Sequence, residues 1–146
     1  MKVKDIEFRG KLSHNGEWVY GNLIIANNGK TYIYPKEVLE PDGHHLICLA
    51  YGAFMVRKET VGLHMGIVDV EGNKIYAGDI IQSTNNGKTI THKVLWNAER
   101  GALTCYSTKT YFGDGECGLL LQDWVIKFNK RVIGNIYDGK DYSDIY

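Results

Sequence analysis

The sequence predicts a mainly-β protein with few, short helices, and three observations carry that reading. Gly is frequent and Pro rare, 17 against 2, alongside 10 Tyr, the mixture expected of many short strands joined by glycine turns. Turn pairs recur along the whole chain, at Asn15-Gly16, Asn28-Gly29, Asp42-Gly43, Asn86-Gly87, Arg100-Gly101, Asp114-Gly115 and Asp138-Gly139. Asn-Gly and Asp-Gly adopt positive φ most readily in a tight hairpin. No helical apolar period persists for about 11 residues, the ordinary helix length. A doubly wound α/β arrangement needs helices between its strands and is therefore not expected.

The elements follow in order. Glu17–Ile25 carries Trp18, Tyr20 and Ile24 on one face and Val19, Leu23 and Ile25 on the other. Apolar residues on both faces predict a strand buried on two sides, with Gly21 marking a bulge or a close approach. Thr31–Tyr34 returns after Asn28-Gly29 to make a first hairpin. Pro35 opens a short stretch, Lys36–Leu39, read as one helical turn, and Leu46–Tyr51 and Phe54–Lys58 read as strands. Farther on, Glu71-Gly72-Asn73 is a hairpin turn. Ala77-Gly78-Asp79 is a tight turn feeding Ile80-Ile81, with Asp79 expected to accept backbone hydrogen bonds rather than to catalyse. Lys88–Trp96 alternates, placing Ile90, His92, Val94 and Trp96 on one face and Thr89, Thr91, Lys93 and Leu95 on the other. Ala102–Ser107 is its partner strand, Phe112–Gly118 a Gly-rich loop, Leu119–Val125 a short helix and Arg131–Tyr137 the last strand. The polar tail Asp138–Tyr146 is expected to pack loosely.

Charge narrows the function classes. Lys+Arg and Asp+Glu are 17 each among 146 residues. Residues 1–60 carry 8 basic and 7 acidic side chains, and residues 61–146 carry 9 and 10, so neither half is a basic module. Non-specific nucleic-acid binding depends on neutralising phosphates, and the charge does not support it as the default role. The tightest basic cluster, Lys127, Lys130 and Arg131, reads as a solvated strand end. Cys48, Cys105 and Cys117 are odd in number and form no C-x-x-C pair. Met1–Arg9 alternates charged and apolar residues instead of presenting a secretory signal, and no apolar run approaches the about 20 residues that span a bilayer. These features predict a cytoplasmic protein with reduced thiols and no membrane partner.

Residues 59–82 carry a further signal. Glu59-Thr60-Val61-Gly62, Gly66, Asp69, Gly72, Ile75-Tyr76, Gly78-Asp79 and Ile80 match, without a gap, a block characteristic of the YopX-like proteins of phages and prophages. The N-terminal Phe8-Arg9-Gly10-Lys11 and Asn15-Gly16-Glu17-Trp18-Val19-Tyr20-Gly21-Asn22-Leu23, and the closing Val132-Ile133-Gly134-Asn135-Ile136-Tyr137, match that family's other patterns in order. The sequence thus resembles that family over nearly its whole length. It departs from the pattern where Val68 and Val70 stand in place of polar residues. The resemblance implies an N-terminal hairpin-rich β subdomain, residues 1–60, followed by an SH3-type β-barrel, residues 61–146. It also implies a bacterial host cytoplasm, and it brings no catalytic residues with it.

The chemistry-bearing residues do not converge in the sequence. His44 and His45 are adjacent, so in a strand they point to opposite faces and share a metal poorly. His64 is isolated. His92 lies on the apolar face of its strand and reads as a hydrogen-bonded core histidine. The sharpest enzyme hypothesis is a thiol hydrolase with Cys105 or Cys117 activated by His92. Asp114 and Glu116 beside Cys117 would raise its thiol pKa and argue against it. Asp114 with Glu116 and Asp141 with Asp144 lie in turn-rich segments. Trp18, Tyr20, Tyr32, Tyr34, Trp96, Tyr106 and Tyr111 are available to line a groove for peptide or single-stranded nucleic acid, or to serve as core and cross-strand partners. The apolar run Val61–Val70, with Leu63, Met65 and Ile67 at alternate positions, suits a subunit interface. The expectation is a phage accessory protein of binding type, without cofactor, metal or catalytic residues. It self-associates and contacts an unidentified phage or host protein. A nucleic-acid-binding factor and a small thiol-dependent hydrolase are the alternatives.

Overall fold

The structure, a computed structural model, describes Lys2 and residues 5–35, 52–107 and 121–142. The expected turn at Lys36–Leu39, the strand Leu46–Tyr51 and the loop Phe112–Gly118 lie outside those residues. So do Cys48, Cys117, His44, His45, Tyr111, Asp114, Glu116 and Asp144. The described residues are mainly β, in two antiparallel sheets, and include no helix long and apolar enough to cross a membrane. The chain divides into two compact units, Met1–Met65 and Gly66–Tyr146.

The first unit holds β1 (Ile6–Lys11), β2 (Trp18–Ile25), β3 (Thr31–Pro35), β4 (Phe54–Met55) and β5 (Gly62–Met65), in the order β4-β3-β2-β1-β5. The division falls after Met65 rather than after residue 60, because β5 returns to pair with β1, Phe8 opposite Leu63 and Glu7 opposite His64. The 3₁₀ turn Lys58–Thr60 that precedes β5 is pinned by one hydroxyl. Thr60 Oγ1 accepts from the Lys11 N–H at 2.9 Å and donates to the Arg57 carbonyl at 2.7 Å. The Glu59-Thr60-Val61-Gly62 block is therefore a structural clasp. Gly21 is a close approach: a Cβ there would overlap the Tyr34 carbonyl oxygen and come within 2.8 Å of the Pro35 Cα. The expectation that β2 is buried on two sides is corrected. Tyr20, Asn22 and Ile25 are exposed, because the sheet faces solvent over part of this strand instead of being covered on both sides.

The second unit holds β6 (Asp79–Asn85), β7 (Lys88–Asn97), β8 (Ala102–Ser107), α1 (Leu121–Lys127) and β9 (Arg131–Asn135), with the sheet order β8-β7-β6-β9. β6 and β7 meet at a two-residue hairpin whose Asn86 and Gly87 take φ of 50° and 74°. Both residues of a type I′ turn require positive φ, which Asn-Gly supplies at little steric cost. The core gathers Ile75, Ile81, Val94, Leu103, Cys105 and the α1 residue Val125, with Ile67, Ala77 and Val132 packed against it. Burying each of the larger aliphatic side chains is worth about 1.5–3 kcal/mol. Among the described residues β8 and β9 are the two edges of this sheet and do not pair, so the class is mainly β and no closed barrel is seen in them. Asp79 is a turn residue as expected. Its Oδ2 accepts from the Tyr76 N–H at 2.7 Å, while Gly78 donates to the Val94 carbonyl at 2.7 Å.

Two further turns close this unit. Asp69 accepts from the backbone N–H of Glu71 and Asn73 at 2.9 and 2.8 Å, from Asn73 Nδ2 at 3.0 Å and from the Val132 N–H at 3.0 Å. It thereby ties the Glu71–Asn73 turn to β9. Burial alone would raise its carboxyl, but the hydrogen bonds from Asn73, Val132 and Glu71 together hold it below the usual aspartate value. The tail is not loose as far as Tyr142, which is buried. Its phenol donates to Asp138 Oδ2 and occupies the space a Cβ on Gly134 would need. Burial and then the Asp138 carboxylate push that phenol up to about 12.

Candidate functional site

Among the described residues, two arrangements gather polar side chains that the sequence singled out, one in each unit. In the first unit the strand register places Glu7, Arg9 and Lys11 of β1 on one sheet face with Trp18, Tyr20 and Asn22 of β2. The same face continues through Tyr34 and Tyr32 of β3 and Met55 of β4. On the other side it reaches His64 of β5, opposite Glu7. Four of the aromatics singled out in the sequence, Trp18, Tyr20, Tyr32 and Tyr34, thus share a surface. Two cations reach over one indole: the Arg9 guanidinium carbon is 4.5 Å from the Trp18 ring centre and the Lys11 ammonium 5.4 Å. Such contacts favour a fixed indole. The face grades from a closed end, where Glu7, Arg9, His64 and Tyr34 are buried, to an open one, where Tyr20 is 44% exposed.

In the second unit a lysine is folded inward. α1 ends at Lys127 and is followed by Asn129, whose φ of 50° reverses the chain, and the Lys130 N–H donates to the Val125 carbonyl at 3.0 Å. This left-handed helix exit delivers Lys130 into the unit, where it is 1% exposed. Its ammonium donates to Ser83 Oγ of β6 at 3.2 Å and to His92 Nδ1 of β7 at 3.1 Å. An ammonium can only donate, so Nδ1 is the acceptor and the imidazole is neutral, with its proton on Nε2. Burial and then the Lys130 charge lower the His92 pKa to about 3.

This geometry bears on each residue the sequence offered. His92 is the hydrogen-bonded core histidine it was expected to be. Cys105 is a buried cysteine on β8, opposite Val94, while His92 faces Ser107 two positions along. The two are diagonal neighbours on one sheet face. Even so, an imidazole with a pKa of about 3 is a weak general base at neutral pH, and a buried thiol reacts poorly. His64 lies in the other unit. Trp96 and Tyr106 fall on opposite faces of the β7–β8 ladder, and Tyr106 accepts from Asn97 Nδ2 at 3.2 Å, so they form no groove together. Among the described residues no group of three or more His, Cys, Asp or Glu is placed to hold a metal. The solvated-strand-end reading of the basic cluster is corrected for Lys130. Arg131 stays outside, 3.0 Å from Glu71, and Lys127 is exposed. Ser83 and Lys130 were missed as partners of His92. The signal that would have found Lys130 is Asn129: an Asn closing a short helix reverses the backbone and turns the next side chain inward.

The comparison with known proteins agrees with the sequence motifs. No curated protein matches the chain. The YopX protein family matches residues 7–140, a span that takes in the Thr60 clasp, the Asp69 and Asp79 turns, the Trp18 ladder and the Lys130 cluster, so the chain belongs to the YopX family.

Proposed function

We propose that this YopX-family chain is a phage or prophage accessory protein that acts by binding a phage or host protein, without catalysis, and that the open end of the cation–aromatic face is its contact surface. The observation that carries the reading is Tyr20. It is a large, exposed aromatic on a strand whose neighbouring indole is already fixed by Arg9 and Lys11. A preorganised aromatic flanked by cations is the kind of anchor that protein contacts favour. The low basicity of His92 and the burial of Ser83, Lys130 and Cys105 weigh against the thiol-hydrolase alternative.

The test is affinity capture from infected or lysogenic cells with the wild-type chain and with Tyr20→Ala, scoring protein and nucleic acid. A protein retained by the wild type and lost with Tyr20→Ala is the expected result. Identical retained sets for the two chains would remove the face from consideration. A nucleic-acid role is favoured by one observation, the cations interleaved with Trp18 and Tyr20. It requires oligonucleotide retention that falls steeply with salt, and retention indifferent to salt, or none at all, would discard it.

A further inference from the structure

A β-bridge between Leu12 and Val56 extends the open end of the cation–aromatic face by one residue. It sets Arg57 beside Lys11, with the Arg57 N–H donating to the Lys11 carbonyl at 2.8 Å, while Trp18 lies opposite Lys11 on the other side. Residues level with one another on adjacent strands project to the same face, so Arg57, Lys11 and Trp18 form a row. Arg57 is exposed, and its guanidinium reaches toward the turn between β1 and β2: a Cβ on Gly16 would meet its two terminal nitrogens at 3.7 and 3.9 Å. Tyr20 is the next residue of β2 on this face, opposite Arg9. Beyond it the face continues through Asn22, Ile24 and Tyr32, exposed or half-buried and all uncharged.

Positive charge is therefore gathered at one end of the face, around a single indole. The acid nearest to Trp18 in sequence, Glu17, is drawn back into its turn, where its carboxylate accepts from Asn15 Nδ2 at 2.8 Å. Lys58 and Glu59, both exposed, follow Arg57 and offset each other. Glu7 is buried at the closed end. A nucleic-acid strand carries a phosphate at every nucleotide and draws its affinity from a run of cations, whereas this face offers cations at its first contact and neutral side chains after that. A protein segment with one or two carboxylates followed by apolar residues fits that order. The planar guanidinium fork pairs with a carboxylate bidentately, and exposed tyrosine takes apolar side chains. We infer that the open end of this face binds an acidic protein segment, its carboxylates paired with Arg57 and Lys11 and its following apolar side chains packed on Tyr20. The inference rests on the reading of this face as the contact surface and adds the chemistry of the partner.

The experiment probes the full chain with immobilised peptides of about 12 residues, each made in three versions with Glu, Gln or Lys at two adjacent positions and otherwise rich in Leu, Pro and Tyr. The wild type, Arg57→Glu and Tyr20→Ala are compared, with far-UV circular dichroism to confirm folding. The wild type is expected to retain Glu versions roughly tenfold or more better than their Gln and Lys counterparts, and Arg57→Glu to lose that preference. Tyr20→Ala should weaken every retained peptide. The Glu–Gln comparison on the wild type decides the matter even if Arg57→Glu fails to fold. Peptides that need Tyr20 but bind alike as Glu, Gln and Lys versions would overturn the acidic partner and leave the face as the contact surface. Peptides held equally by the wild type and Tyr20→Ala would remove the face and the inference with it. Failure to retain any Glu version, or a folded Arg57→Glu that keeps the preference, would overturn the inference. A single-stranded oligothymidylate that binds the wild type and displaces the Glu peptides would assign the face to nucleic acid and overturn it equally.

Discussion

Acidification offers a direct probe of the Lys130 cluster, with His92 as the titrating group. Its pKa is about 3 in the fold against an ordinary 6.5. Between these values the unfolded chain binds a proton that the folded chain refuses, so stability falls as the pH drops below 6.5 and levels off below 3. The full span corresponds to about 5 kcal/mol. Between pH 7 and pH 4.5 the expected loss is about 2.5 kcal/mol, a large share of a small unit's stability. The assay is urea unfolding of the whole chain, followed by far-UV circular dichroism at pH 7, 5.5 and 4.5. The wild type is compared with His92→Asn, whose amide oxygen can replace Nδ1 as the acceptor for Lys130 without titrating. The wild-type midpoint for the second unit should fall steeply with acid and that of His92→Asn much less. Lys130→Met removes the neighbouring charge and should also flatten the wild-type slope. Parallel pH dependences for the wild type and His92→Asn would refute the reasoning.

Four further outcomes follow from single contacts. Asp69→Asn turns one acceptor oxygen into a donor facing N–H groups and should cost about 1–3 kcal/mol, read as a roughly 5–15 °C lower Tm. Because the Asp69 carboxyl sits below its ordinary 3.8, that gap should persist at neutral pH and begin to close only when the pH falls below 3.8 and on through the lowered folded value. Gly21→Ala forces a methyl into the Tyr34 carbonyl and should destabilise the first unit by about 3 kcal/mol, measured by urea unfolding. Gly134→Ala should expel Tyr142, making trypsin cleavage after Lys140 faster than in the wild type. Cys105 should resist alkylation under native conditions and react in urea, as peptide mass mapping of the labelled thiols would show.

Most of the fold was legible because its turns are written in residues with few alternatives. Asn86-Gly87 specifies its hairpin by backbone sterics, Asp79 its turn by a short side chain able to reach Tyr76, and the alternation from Thr89 to Trp96 its two faces. What escaped was set by partners distant in sequence. Lys130 reads as a surface lysine until Asn129 turns it toward Ser83 and His92, 47 and 38 residues away. Gly62–Met65 reads as the start of the second unit until Phe8 and Glu7 are seen to claim it. The two-sided burial expected of β2 failed for a related reason: apolar residues on both faces state what a strand tolerates, and only its neighbours decide which face is covered. Of the candidate site, the membership of Trp18, Tyr20, Tyr32 and Tyr34 was readable, while their common face required the register.

The position of Lys130 also bears on how the chain is made. β6, β7 and β8 are complete by Ser107, but Ser83 and His92 receive their ammonium only when Lys130 has been synthesised, and β6 gains β9 as its neighbour only after that. The described strands of the first unit are all present once Met65 has been synthesised. The second must hold an incomplete sheet, with a serine and a histidine awaiting a late arrival, until translation is nearly finished. Vectorial synthesis therefore places the strands of the first unit ahead of those of the second, and a chain that stalls before residue 130 would leave β6 without β9 and Ser83 and His92 without Lys130.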